Sequence, residues 1–185
     1  MSAALPSKTS PRRISWAVIV AFILLVGFLV LLGISLSRAQ SGPPEVGDTA
    51  PEFTLTTFDG QTISSTDLAG KVILINFWAS WCSPCAEEAV DLEQAWREYQ
   101  PTGNVIFIGV DYVDTEPEAL AYLNEYDITY PNGPDLGTQI SRAYRITGVP
   151  ETYLIDASGV VRGVKIGPFT SLAEIQQFVG SAYAP

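Results

Sequence analysis

Two apolar runs of strand length, Val72–Trp78 and Val105–Val110, limit most tightly what this chain can fold into. A strand apolar at nearly every position has no solvent face, so it belongs in a sheet covered on both sides. Between the runs, Val90, Leu92, Ala95, Trp96 and Tyr99 recur at helical spacing, and Pro101 and Gly103 end that pattern. Strand, helix and strand in that order predict a parallel pair joined by a crossover, the unit of an α/β fold. Before it, Phe53–Thr57 alternates apolar and polar, Asp59-Gly60 marks a turn, and Thr62-Ile63 pairs back. Ser64–Leu68 reads as one helical turn stopped by Gly70. After Val110, Thr115 caps a helix running to about Tyr126, and residues 127–136 read as a loop rich in Pro, Gly and Asn. A helix near Thr138–Tyr144 follows. Thr152–Ile155 and Val160–Ile166 then form a hairpin around Asp156-Ala157-Ser158-Gly159, and Ser171 caps a last helix to about Val179. The hairpin adds antiparallel strands, so the expected sheet is central, mixed and flanked by helices.

The N-terminal part follows another pattern. Ile14–Ile34 carries no charge, and a helix of that length spans roughly 30 Å, the hydrocarbon thickness of a bilayer. Lys8, Arg12 and Arg13 precede the run and only Arg38 follows closely, an asymmetry that keeps the N-terminus cytoplasmic. The expected organisation is a cytoplasmic tail at 1–13, a single transmembrane anchor at 14–36, a linker at 37–46 and an extracytoplasmic domain at 47–185. The competing reading is a signal peptide cleaved near Ser37-Arg38-Ala39, but its apolar core is ordinarily about 7–15 residues. From residue 41 onward six bases face 20 acids, a net charge of −14. Such a surface repels phosphate and argues against nucleic acid as a partner.

The chain has two cysteines and no histidine. Cys–His and Ser–His–Asp catalysis are therefore excluded within it, and two cysteines do not make a four-ligand zinc or iron–sulfur site. The pair is Trp81-Cys82-Ser83-Pro84-Cys85, directly after the Val72–Trp78 strand and at the start of a helix. The free N–H groups and dipole of a helix N-terminus favour a thiolate. Cys82 at the helix mouth then acts as nucleophile, and Cys85, one turn further in, resolves the mixed disulfide. Pro84 falls in the first turn, where a missing N–H costs little. A purely structural disulfide closing so short a loop would constrain the unfolded chain little.

With these residues in view, "INFWASWCSPC" at 75–85 resembles the active-site segment of the thioredoxin superfamily. "GDTAPEFTL" and "GVPETYLIDASGVV" extend the likeness to the membrane-tethered thioredoxin-like thiol–disulfide oxidoreductases of the TlpA, ResA and CcmG/DsbE type, over about residues 45–180. The resemblance implies a thioredoxin fold with an N-terminal transmembrane helix. It implies a cis-Pro150 facing the cysteines, with the Val149 backbone, Trp81 and Glu151 beside the bound substrate. Where ordinary thioredoxins carry a buried aspartate, this chain has Asn76. Proton handling then falls to Glu88, three residues beyond Cys85, with Glu151 as second candidate; the plain alternative is that both are solvated acids. Asp111-Tyr112-Val113-Asp114 resembles a substrate-facing loop of the family and receives no role here.

The implied activity is reduction of protein disulfides, such as that of an apocytochrome c during cytochrome c maturation. Electrons would come from a transmembrane thiol carrier, and no cofactor is needed beyond the Cys82–Cys85 pair. The Ser-Pro dipeptide between the cysteines lacks a base, and nearby acids disfavour the thiolate, which argues against a strong oxidant. Two other classes compete. A peroxiredoxin-like thiol peroxidase is suggested by "GDTAPEFTL", but "WASWCSPC" lacks the threonine typical before a peroxidatic cysteine. A Cu(I) chaperone could use two thiolates, but there is no histidine and Met1 is the one methionine.

Overall fold

The computed structural model describes residues 16–40 and 42–183. The chain divides into two units, Met1–Ser41 and Gly42–Pro185. In the first, helix α1 covers Trp16–Gln40. Its described side chains are those of residues 16–17 and 19–33, and all are exposed. Counted over the described residues alone, no helix is long and apolar enough to cross a membrane. The expected tail at 1–13 lies outside the described residues, and the expected anchor at 14–36 lies only partly within them.

The second unit begins with a small hairpin, β1 (Thr54–Thr56) against β2 (Thr62–Ser64). A 3-10 turn at Ser65–Leu68 leads into β3 (Val72–Trp78). Then come α2 (Ser83–Tyr99), β4 (Val105–Asp111), α3 (Glu116–Glu125), β5 (Asn132–Pro134) and α4 (Gln139–Tyr144). The hairpin β6 (Glu151–Ile155) and β7 (Val161–Ile166) and helix α5 (Leu172–Gly180) close the unit. The main sheet has the order β5-β4-β3-β6-β7. β3, β4 and β5 run parallel, and β6 and β7 are antiparallel to their neighbours. This is the thioredoxin fold, a central mixed sheet flanked by helices.

The apolar runs fold as their composition demands: every residue of β3 is buried. Strand side chains alternate between faces. Val72 and Leu74 meet Leu92 and Trp96 of α2 and Ile175 of α5 on one face. Ile73, Ile75 and Phe77 meet the β1–β2 hairpin and α4 on the other, in a core with Phe53, Leu55, Ile140 and Tyr144.

One element departs from the sequence expectation. β5 lies inside the segment read as a loop, pairing in parallel with Gly109–Asp111. Its Pro-Asn-Gly-Pro surroundings carry turn chemistry, yet an edge strand tolerates proline because one side makes no ladder. Its position depends on Gly109, where an added Cβ would lie 1.7 Å from Asn132 Oδ1.

Candidate active site

β3 delivers the redox segment. Its last residue, Trp78, is buried, stacks on Tyr122 of α3 with centroids 4.5 Å apart, and donates from Nε1 to Asn132 Oδ1 at 2.8 Å. The chain then turns through Ala79–Trp81, and Cys82 takes the N-cap position of α2. Its Sγ accepts the Cys85 N–H at 3.1 Å, in place of the hydroxyl or carboxylate that usually fills that role. The two sulfurs are joined, 2.07 Å apart.

The helix mouth is less open than the sequence suggests. Cys82 is 5% exposed and Cys85 1%, whereas Trp81 is 62% exposed. Ala79, Ala89 and Tyr122, with Val149 packed beside them, close the sulfurs in. Access is through Cys82, next to the indole.

Opposite the cysteines, the Val149–Pro150 peptide is cis, as the resemblance implied. The Val149 carbonyl oxygen lies 3.5 Å from Cys82 Sγ. Glu151 follows, and it is not a solvated acid: it is 1% exposed. Its carboxylate accepts from Thr147 N–H at 2.6 Å, Thr147 Oγ1 at 2.7 Å and Gly148 N–H at 3.1 Å. Tyr153 Oη donates to its other oxygen at 3.4 Å. The side chain is thus turned back on the loop that carries Val149 and Pro150.

Glu88 is buried to the same degree, 1% exposed, and the solvated reading fails for it as well. Its Oε1 accepts from Asn76 Nδ2 at 2.9 Å and its Oε2 from the Phe169 N–H at 2.8 Å. Asn76 Nδ2 also donates to Thr152 Oγ1 at 2.9 Å. Burial pushes the Glu88 carboxyl up to about 7, against the pull of these hydrogen bonds and of Lys165. The arrangement follows from register: Asn76 and Thr152 are paired across β3 and β6, so both point toward α2. Sequence reasoning singled out Asn76 and Glu88 separately and missed Thr152. Strand parity was the signal that could have linked them.

The sequence also assigned nothing to the loop after β4. There Asp114 accepts from the Ser80 N–H at 2.5 Å and Ser80 Oγ at 2.9 Å, tying this loop to the redox segment. Asp111, at the end of β4, is 1% exposed, and among the described residues neither carboxylate oxygen has a hydrogen-bond donor. Burial pushes its carboxyl up to about 8, and the adjoining Asp114 carboxyl adds to the shift. Between them Val113 has φ +60°, an outlying conformation for a β-branched residue.

Comparison with known proteins agrees with this geometry. The AhpC/TSA family matches over residues 46–164. The thiol-disulfide oxidoreductase ResA of Bacillus cereus is 32% identical over 161 residues, covering 86% of this chain and 91% of that protein. The thiol:disulfide interchange protein DsbE of Allochromatium vinosum is 35% identical over 164 residues, covering 84% and 87%. Among solved structures, a thiol:disulfide interchange protein of the thioredoxin family from Chlorobium tepidum superposes with a TM-score of 0.67 at 33% identity, over 77% of this chain and 98% of that one.

Proposed function

Since this chain belongs to the AhpC/TSA family and is a thiol–disulfide oxidoreductase of the ResA/DsbE type, we propose that it serves as a membrane-anchored reductant of protein disulfides on the outer face of the membrane. The single observation that carries the exchange assignment is the Cys82–Cys85 pair at the head of α2 with the buried Glu88 carboxyl one helical turn beyond Cys85, held by Asn76 and Phe169.

The reaction proceeds from the reduced pair. The Cys82 thiolate attacks one sulfur of the substrate disulfide. A Cys82–substrate bond forms, and the other substrate sulfur leaves and is protonated. Cys85 then attacks Cys82 Sγ, closing the 82–85 disulfide and releasing the second substrate thiol. Two electrons pass to the substrate. Cys85 is almost wholly buried, and burial disfavours its thiolate. Glu88 accepts its proton directly or through one water.

Asn76 suits this cycle. As drawn, its amide donates to the Glu88 carboxylate and to Thr152 Oγ1. Turned over, its oxygen accepts from a protonated Glu88 and from the Thr152 hydroxyl, so the same three side chains satisfy both states. A buried aspartate at 76 would face Glu88 with a like charge.

The direction of exchange is supported by the acids near the site, Glu88 and Asp114, and by the lack of a base between the cysteines, since negative neighbours disfavour the thiolate that strong oxidants stabilise. The exposed Trp81 and the Val149 edge are the proposed contacts for the substrate, with the oxidised cysteine pair of an apocytochrome c as target and a transmembrane thiol carrier as electron donor. No further cofactor enters. The apolar run from Ile14 to Ile34, with its basic N-terminal flank, supports the anchor and its orientation. The test is trapping: a Cys85→Ser variant accumulates a mixed disulfide with an oxidised CxxC substrate, and a Cys82→Ser variant accumulates roughly tenfold less or none. Equal trapping by both variants overturns the assignment.

A further inference from the structure

Asp111 is a polar group that the reaction above does not use. It pairs in register with Trp78 of β3 on one side and Pro134 of β5 on the other. Trp78 has committed its N–H to Asn132, and proline has none to offer. Nothing in the sheet therefore donates to the Asp111 carboxylate, and burying a charge without partners is costly. Among the groups packed near it, Asp135 is engaged by the first turn of α4, accepting from Gln139 and Ser141 N–H at 2.8 Å each. Tyr122 stacks on Trp78, and Tyr112 adjoins in sequence. Among the described residues, the charged side chain that acts on Asp111 is Asp114.

Asp114 in turn has two obligations. Toward the redox segment it accepts both donors of Ser80, two residues before Cys82. Toward Asp111 it can accept one more, provided that Asp111 keeps its proton. A strained Val113 between them is the kind of outlier that persists where the surroundings over-determine it.

We propose that Asp114 is a positioning residue for Cys82, clamping the Ser80 turn through its carboxylate, and that Asp111 holds Asp114 in that clamp by sharing one proton with it. The inference rests on Cys82 as the attacking thiol but not on the direction of exchange. Burial favours the protonated Asp111 at neutral pH. When Asp111 ionises in mildly alkaline solution, two carboxylates oppose each other, Asp114 is pushed from Ser80, and a second negative charge stands beside the redox turn. Both changes disfavour the Cys82 thiolate.

The experiment uses the full-length chain carrying Cys85→Ser, which leaves Cys82 as its one thiol. Its alkylation by iodoacetamide is followed from pH 5 to 10, with thermal melting as a check on folding. The parent profile falls below a single ionisation curve above about pH 8, by about threefold, the effect of one extra charge through a partly aqueous path. Asp111→Asn supplies a permanent donor to Asp114 and restores a single ionisation curve. Asp114→Asn keeps an oxygen to accept from the Ser80 N–H while removing the negative charge, so the rate at pH 7 rises by about threefold. In the Asp114→Asn background, adding Asp111→Asn has a smaller effect than in the parent, because the part of its action that runs through Asp114 is gone. If the Asp111→Asn and parent profiles overlay, or if Asp111→Asn acts equally with and without Asp114, the clamp does not exist. Failure of Cys82 to react at all would instead overturn the assignment of the nucleophile.

Discussion

Glu88→Gln gives the most direct reading of the buried carboxyl. In the unfolded chain the glutamate releases its proton near 4.5, whereas in the folded protein burial holds it to about 7. Between those values the native state binds a proton that the unfolded state has lost, so stability falls as pH rises. The contribution is fully present below about 4.5 and gone above about 7. At roughly 1.4 kcal/mol per unit, the window amounts to about 3 kcal/mol. Glutamine cannot titrate, and it fits the site. Its oxygen accepts the Phe169 N–H, and its amide donates to Asn76 once that side chain turns over, with Thr152 donating to the same oxygen. The substitution therefore adds no unpaired group. Urea unfolding of both proteins at intervals from pH 4.5 to 8 isolates the effect, because other titrations cancel in the difference. The variant should gain on the wild type by about 3 kcal/mol across the window. A difference that stays constant with pH would mean that Glu88 ionises like an exposed acid, and the burial account would be wrong.

The same variant should reduce a protein disulfide on the order of 100-fold more slowly at pH 7, read by insulin precipitation, since a general base has been removed; an unchanged rate would pass the proton to water. Glu151→Ala should cost about 3 kcal/mol in thermal or urea unfolding, because Thr147 and Gly148 lose the acceptor of three hydrogen bonds, while Glu151→Gln should cost under about 1 kcal/mol. Gly109→Ala should cost about 3 kcal/mol or prevent folding by displacing Asn132 from Trp78, checked by urea melts and by tryptophan fluorescence. Full-length protein should resist carbonate extraction from membranes and lose its domain to protease added outside; a soluble product starting near Gln40 would instead show cleavage.

What could be read from the sequence is whatever depended on local pattern. β3, the CxxC helix, the β6–β7 turn and the capped α3 and α5 announced themselves through apolar runs, spacing and cap residues. Thr115, for instance, takes the N-cap position of α3 that the sequence assigns it and donates from both its N–H and its hydroxyl to Glu118. What could not be read was set by distant residues. β5 exists because Gly109 leaves room for Asn132, a contact no local propensity encodes. The burial of Glu88 and Glu151 was equally hidden. An acid on an amphipathic helix reads as solvated until Phe169, 81 positions away, is known to donate to it. Asp111, which the sequence places in the loop after the second strand, is instead the enclosed last residue of β4.

The placement of the sulfurs bears on which molecules can change the oxidation state of this protein. Thiol–disulfide exchange requires the attacker to approach along the S–S axis, and of the two cysteines Cys82, next to the exposed Trp81, is the more exposed, with Cys85 almost wholly buried. A dissolved thiol gains nothing from the indole or from the Val149 edge and meets the disulfide only by unassisted collision. A folded partner can spend contact with both surfaces on holding its own sulfur in line. Exchange with a protein that fits both surfaces is therefore favoured over exchange with the small thiols and disulfides of the surrounding medium.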